Sequence, residues 1–139
     1  ISLCLERMPR PVDPGLRETA RRLADGAAAR WRETDRGPWE TRGEPRHFLY
    51  SKLYCWVALD RAVRLAERAG LPGDVGRWRR EREAVREAIL TRGYDAGVGA
   101  FTRAFGEAAL DAGALVVPLV GFLPASDPRV TSTAERVRE

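Results

Sequence analysis

The chain has 139 residues and a mass of 15.5 kDa, enough for one modest domain with a core of its own. Charged residues make up 32% and hydrophobic ones 44%, a globular balance that excludes a disordered segment. The net charge of +4 comes almost wholly from arginine, Lys52 being the only lysine. The arginines are interleaved with Glu and Asp along helical stretches, which reads as solvated helix faces, so no nucleic-acid partner is expected.

The opening Ile1-Ser-Leu-Cys-Leu has neither a basic leader nor a long apolar run and is not read as a signal peptide. There is no leading methionine, and an amphipathic pattern runs on through Val130 to Glu139; the expectation is a piece of a longer chain. Asp13-Pro14 supplies an N-cap and a first helical position for a helix to about Arg32, since proline's missing N–H costs nothing there. Asp35-Arg-Gly-Pro38 is a turn. Trp39 to about His47 is irregular, because Gly43 and Pro45 exclude regular helix.

The next helix, about Leu49 to Ala69, is apolar on most faces (Leu53, Trp56, Val57, Leu59, Val63) and is expected to be buried. It ends at Gly70, followed by Pro72. Asp74 caps another helix to about Leu90, whose apolar stripe is narrow: Trp78, Val85, Ala88 and Ile89. That is an outer, half-exposed helix. Tyr94 to Phe105 reads as a loop or a short extended segment. A second nearly all-apolar helix is expected from about Glu107 to Phe122, kinked or interrupted at Pro118. Ser126-Asp127-Pro128 then starts a last helix. No strand run with period-two alternation is found. The order is outer, inner, outer, inner, outer: an all-α fold with the alternation that a helical toroid or a layered helical repeat requires.

Cys4 and Cys55 lie far apart in apolar surroundings and are expected to be buried, reduced thiols. With one histidine and no paired Cys or His spacing, no metal site and no cofactor are expected. The longest apolar run, 112–124, is too short to span a bilayer and contains Pro118. The expectation is a soluble, cytoplasmic protein with no membrane partner.

The densest functional cluster is residues 35–52, with a tryptophan, two glutamates, the only histidine and the only lysine on irregular backbone before a buried helix. Such a mix suits a sugar: an aromatic for the ring face, charged donors for hydroxyls, and a carboxyl for acid catalysis. On spacing alone it suits a surface loop with salt bridges, with Trp39 plugging the core, better than a sugar site. Glu40 is the better acid, because a general acid must be partly desolvated and Trp39 adjoins it. Glu44, between Gly43 and Pro45, belongs at an exposed tip. Arg42 and Arg46 are hydroxyl or carboxylate partners or plain surface pairs, and His47 lines a pocket or is structural.

The run Gly-Pro-Trp-Glu-Thr-Arg-Gly-Glu-Pro-Arg-His-Phe-Leu-Tyr-Ser-Lys-Leu-Tyr-Cys-Trp-Val-Ala-Leu-Asp-Arg-Ala, residues 37–62, resembles the bacterial glucoamylase- and trehalase-like branch of glycoside hydrolase family fifteen. That branch reads Gly-Ile-Trp-Glu-x-Arg-Gly, then Pro-Arg-His-Phe-x-Tyr-Ser-Lys, then Cys-Trp-Val-Ala-Leu-Asp-Arg. The likeness continues through Gly99-Ala-Phe-Thr, Ala109-Leu-Asp-Ala112 and Pro118-Leu-Val-Gly-Phe-Leu-Pro124 to Asp127-Pro-Arg-Val130.

The resemblance implies that residues 1–139 are a fragment of an (α/α)6 catalytic toroid that inverts configuration while hydrolysing a terminal α-glucosyl linkage. The partners implied are an α-glucoside or oligosaccharide substrate and the remainder of the same catalytic domain. Glu40 falls on the proton donor and Trp39 on the adjoining pocket tryptophan. Arg42, Arg46 and His47 fall on motif positions near the glucose site, and Asp111 on a structural or supporting one. Pro38 replaces the usual Ile, Glu44 a second Gly and Leu49 a frequent Thr, while Arg103-Ala-Phe105 stands for Gln-Ser-Tyr; none touches the donor.

An inverting hydrolase also needs a second carboxylate, about 6.5–9.5 Å from the acid, to activate water. No segment here resembles the one that the family carries far downstream. The chain alone is therefore expected not to turn over substrate, and its inner helices are expected to expose an apolar flank, giving association or a molten state. The rival reading is a non-catalytic helical scaffold derived from the same fold.

Overall fold

The structure, a computed structural model, describes residues 13–37 and 43–138. Five α-helices are formed among them: α1 (Pro14–Arg30), α2 (Leu49–Ala69), α3 (Val75–Ala88), α4 (Val116–Leu119) and α5 (Pro128–Arg138). A π-helical turn, Ile89–Gly93, ends α3, and a 3-10 turn, Ala112–Leu115, precedes α4. The only sheet among the described residues is an antiparallel pair of two-residue strands, β1 (Tyr94–Asp95) and β2 (Ala100–Phe101), with Tyr94 opposite Phe101. The fold is all-α, as read from the sequence.

Helices α1, α3 and α5 start where an aspartate can satisfy free N–H groups, whereas α2 starts at Phe48 with no side-chain cap. The Asp13 carboxylate accepts from Leu16 N–H at 3.1 Å and that of Asp74 from Arg77 N–H at 2.9 Å. Asp127 likewise accepts from Arg129 N–H at 2.9 Å. Helix α2 stops at Gly70, whose φ of 62° is the left-handed conformation glycine adopts without a Cβ penalty.

Helices α1, α2 and α3 pack mutually. Their shared core holds Ala24, Ala28, Leu53, Trp56, Leu59, Val63, Trp78, Val85 and Ile89. Trp78 is fully buried and its indole N–H meets Asp25 at 2.9 Å, while that of Trp31 meets Glu81 at 2.7 Å. Helix α5 docks on β2, where Thr133 Oγ1 accepts from Phe101 N–H at 2.9 Å.

Three expectations are corrected. The helix expected over 107–122 is not one helix: residues 106–111 are irregular, and only the 3-10 turn and the single turn of α4 follow. The cause is local. Asp111 turns its carboxylate onto Gly113 N–H at 2.6 Å, which starts a fresh turn. Pro118 is tolerated only because it falls in the first turn of α4, where its N–H is not needed, and Gly121, with φ 74°, ends the segment. Second, α2 is not buried all round: Leu49, Leu53, Trp56, Leu59 and Val63 are buried, while Tyr54, on a face that α1 and α3 leave open, is 43% exposed. Third, Cys55 is a half-buried free thiol rather than a buried one, while Cys4 lies outside the described residues. No helix among the described residues is long and apolar enough to cross a membrane.

Candidate active site

The segment between α1 and α2 is a loop closed at its base. Asp35 and Arg46 exchange both backbone hydrogen bonds, at 2.9 and 2.8 Å, so residues 36–45 leave and return at one point. The Asp35 carboxylate adds to this closure. Its Oδ1 accepts from Gly37 N–H at 2.7 Å and from Ser51 Oγ at 2.8 Å. Gly37 has φ 73°, and a Cβ there would press on the Phe48 ring at 3.2 Å, so both conformation and space favour glycine.

Lys52, 2% exposed, lies beneath this base. Its ammonium donates to the Glu33 carbonyl and stands 3.7 Å from Asp35 Oδ2. Burial pushes its pKa below the ordinary lysine value, and Asp35 opposes that shift. One face of the base borders a groove of about 510 Å³ between α1 and α2, lined among others by Leu23, Trp31, Asp35, Lys52, Tyr54 and Cys55. Burial raises the Cys55 thiol pKa, with Lys52 acting in the opposite direction.

The loop's exit rests on residues 102–109. Phe105 N–H donates to the His47 carbonyl at 3.0 Å, and Leu49 N–H, free at the start of α2, donates to the Arg103 carbonyl at 2.9 Å. Arg46 pairs with Glu107, and Arg103 holds the same carboxylate at 2.9 Å. The His47 ring stacks on Phe105 with centroids 6.0 Å apart, and the Arg92 guanidinium lies 5.0 Å from the Phe105 centroid. Burial lowers the His47 pKa, helped by the nearby Lys52 and Arg92 charges, while Asp35 acts to raise it.

Of the residues singled out from the sequence, Trp39, Glu40 and Arg42 lie outside the described residues. Glu44 is exposed, as expected of a loop tip. Arg46 and His47 are adjacent on the exit strand but engage different partners, Glu107 and Phe105. Asp111 caps the 3-10 turn. The Leu-Asp-Arg end of the motif is structural: Leu59 is fully buried, and Asp60 gathers Arg61, Arg64 and Arg82. Arg61 in turn reaches the Val120 carbonyl at 2.7 Å.

Sequence reasoning assigned no role to Asp35, Ser51, Lys52 or Glu107. A sign was present for one of them: Lys52, the sole lysine, interrupts the buried side of an apolar helix. The partners of the others lie across the chain and leave no local pattern.

The family model for Glycosyl hydrolases family 15 matches residues 10–139. A trehalase of Mycobacterium tuberculosis is 46% identical over 128 residues, 92% of this chain and 18% of that protein. A trehalase of Mycolicibacterium smegmatis is 43% identical over the same share of each. A trehalase of Thermoplasma volcanium is 31% identical over 109 residues, 78% of this chain and 18% of that protein. The chain thus spans about a fifth of the length of the curated relatives it matches. No solved structure matches it.

Proposed function

Since the chain belongs to glycosyl hydrolases family 15, we propose that it is the part of a trehalase-like, inverting α-glucoside hydrolase that carries the proton donor, Glu40. In this reading α1 to α5 are part of an (α/α)6 toroid, residues 1–139 are a fragment of that domain, and the rest of the domain is its partner. Residues Trp39, Arg42, Arg46 and His47 face the glucose bound next to the donor. The protein is taken to be cytoplasmic, with Cys55 kept as a thiol.

The observation that carries the donor role is the double closure of the loop by Asp35 and Arg46, with Asp35 further tied to Gly37 and Ser51. Glu40 lies in sequence between these pinned stems. A general acid acts only when its proton is held within hydrogen-bond reach of the leaving oxygen, so a carboxyl on a loop with fixed ends is suited to the task. The trehalases among its relatives support trehalose as the substrate.

The chemistry then runs as follows. Glu40 in its acid form gives its proton to the oxygen joining the two anomeric carbons, and that carbon–oxygen bond breaks. A water, deprotonated by a carboxylate from the remainder of the domain, attacks the freed anomeric carbon from the opposite face. One glucose leaves as the α-anomer and the other is released as the β-anomer. The fragment without that base does not turn over.

The test is sugar release by the complete protein, wild type against Glu40→Gln, on trehalose, maltose, isomaltose and soluble starch. A loss of several orders of magnitude in a folded variant, with α- and β-glucose appearing together from trehalose in the wild type, is the expected result. Unchanged activity in Glu40→Gln would move the acid elsewhere. No activity in either form would favour a scaffold.

A further inference from the structure

We propose that Lys52, through Asp35, is a positioning residue that fixes against α2 the two stems, at Asp35 and Arg46, between which Glu40 lies in sequence. The inference rests on the reading of Glu40 as proton donor.

The argument starts from cost. An ammonium withdrawn from water is unfavourable unless its donors are met, and an apolar residue would serve the packing of α2 better. Lys52 is nonetheless 2% exposed in a helix whose other buried positions are almost all apolar. Both of its partners, the Glu33 carbonyl and Asp35 Oδ2, belong to the strand that enters the loop. Asp35 passes the restraint on. Its main chain pairs with Arg46 on the exit strand, and its Oδ1 holds Gly37 N–H and Ser51 Oγ.

A single ion pair, buried on its lysine side and part-exposed at Asp35, therefore joins three pieces: the entering strand, the exit strand and the first turns of α2. If α2 needed only a filled core, methionine would serve. What methionine lacks is a donor aimed back at the loop. Lys52 is too deeply buried to reach a sugar, so its influence on the reaction is indirect. The lowered pKa of the ammonium agrees with this tight enclosure.

The experiment uses the complete protein and two substrates that differ in their need for a proton. Trehalose requires protonation of its leaving oxygen, whereas α-glucosyl fluoride departs without general-acid help. Lys52→Met is expected to lower kcat on trehalose about 100-fold, as misplacement of a catalytic group by roughly 1 Å does. On α-glucosyl fluoride the loss in kcat is expected to stay within about threefold, because fluoride needs no proton and the base lies elsewhere, while any disturbance of Trp39, Arg42, Arg46 and His47 raises KM for both substrates alike. Lys52→Arg, which keeps a donor, should recover part of the trehalose activity.

Equal losses of kcat on both substrates, or full activity in Lys52→Met, would overturn the proposal. Should Lys52→Met not fold, Asp35→Asn or Ser51→Ala carries the same comparison. Glu40→Gln, run alongside, separates the two claims. If it stays active on trehalose, the donor reading fails whatever Lys52 does. If it loses trehalose but not fluoride hydrolysis while Lys52→Met resembles wild type, only the positioning role fails.

Discussion

Arg46 and Glu107 pair through Nη1 and Oε1, and the second oxygen of the same carboxylate holds Arg103. The glutamate side chain is 11% exposed and the Arg46 side chain 52%. The acid is thus the fixed partner and the arginine the reaching one, which joins the exit of the 36–45 loop to residues 102–109. Arg46 was singled out as a substrate-binding residue, and Glu107 is what orients it.

Glu107→Gln should therefore act on binding before it acts on the chemical step. In the complete protein, KM for trehalose is expected to rise several-fold with kcat nearly unchanged, the signature of a lost uniform contact. Because Arg46 is half exposed, the stability loss should not exceed about 1 kcal/mol. Steady-state kinetics and urea unfolding measure the two effects. An unchanged KM would make the pair a structural tie alone.

The core gives a sharper test of packing. A Cβ added at Gly73 would fall 2.1 Å from the fully buried Trp78 ring, which is held in turn by Asp25. Gly73→Ala is expected to destabilise by about 1–3 kcal/mol through overpacking. Trp78→Ala should cost more, about 3–5 kcal/mol, by leaving a cavity. A Gly73→Ala variant as stable as the parent in denaturant unfolding would show that the loop before α3 yields freely.

His47 is the only histidine in the chain, so its titration can be followed without assignment. Burial, aided by Lys52 and Arg92, lowers its pKa from the ordinary 6.5, so its NMR midpoint should lie below that value. The sign for stability follows. Between 6.5 and the lower folded value the unfolded chain holds more protons, so stability is full above 6.5 and declines as pH falls through the folded pKa. His47→Gln should remove that component. A midpoint at or above 6.5 would contradict the enclosure of the ring.

Asp127 acts at lower pH. Its carboxylate accepts from the Arg129 side chain and backbone at the start of α5, which brings its pKa from 3.8 down to about 2. A depressed carboxylate stabilises the fold above its unfolded pKa, and that contribution is lost as pH falls from about 4 towards 2. Asp127→Asn should flatten this part of the acid unfolding curve, read by helical circular dichroism. An unchanged curve would mean that the pair persists in the unfolded chain.

What was legible in the sequence follows the range of the interactions. Asp13, Asp74 and Asp127 announce helix starts because an N-cap satisfies N–H groups two or three residues away. The 107–122 stretch misled because its hydrophobicity suits a helix, while Asp111, Gly113 and Pro118 settle the backbone by short-range bonds that hydrophobic pattern does not register. The tie between Lys52 and Glu33, and the meeting of Phe48 with Ala104, join residues far apart in the chain, and no periodicity encodes them. The sugar-site reading rests on the likeness of residues 37–62 to a family rather than on spacing, which by itself favours a plain surface loop.

The exposed apolar side chains yield the last prediction. Leu119 is 80% exposed, Leu23 61%, Tyr54 43% and Leu115 38%, Leu23 and Tyr54 on the α1–α2 groove, Leu115 at the end of the 3-10 turn and Leu119 on α4. Single exposed leucines are ordinary, but Leu23 and Tyr54 share one groove, and such a surface stays out of water only when something covers it. In the proposed toroid that cover is the rest of the domain. The isolated 139-residue chain is accordingly expected to self-associate as its concentration rises, by sedimentation or light scattering. Leu23→Gln together with Tyr54→Gln should reduce the association without loss of helical signal, since neither residue belongs to the buried core. A clean monomer at high concentration, unfolding in one cooperative step, would mean that this chain needs no further helices to cover it.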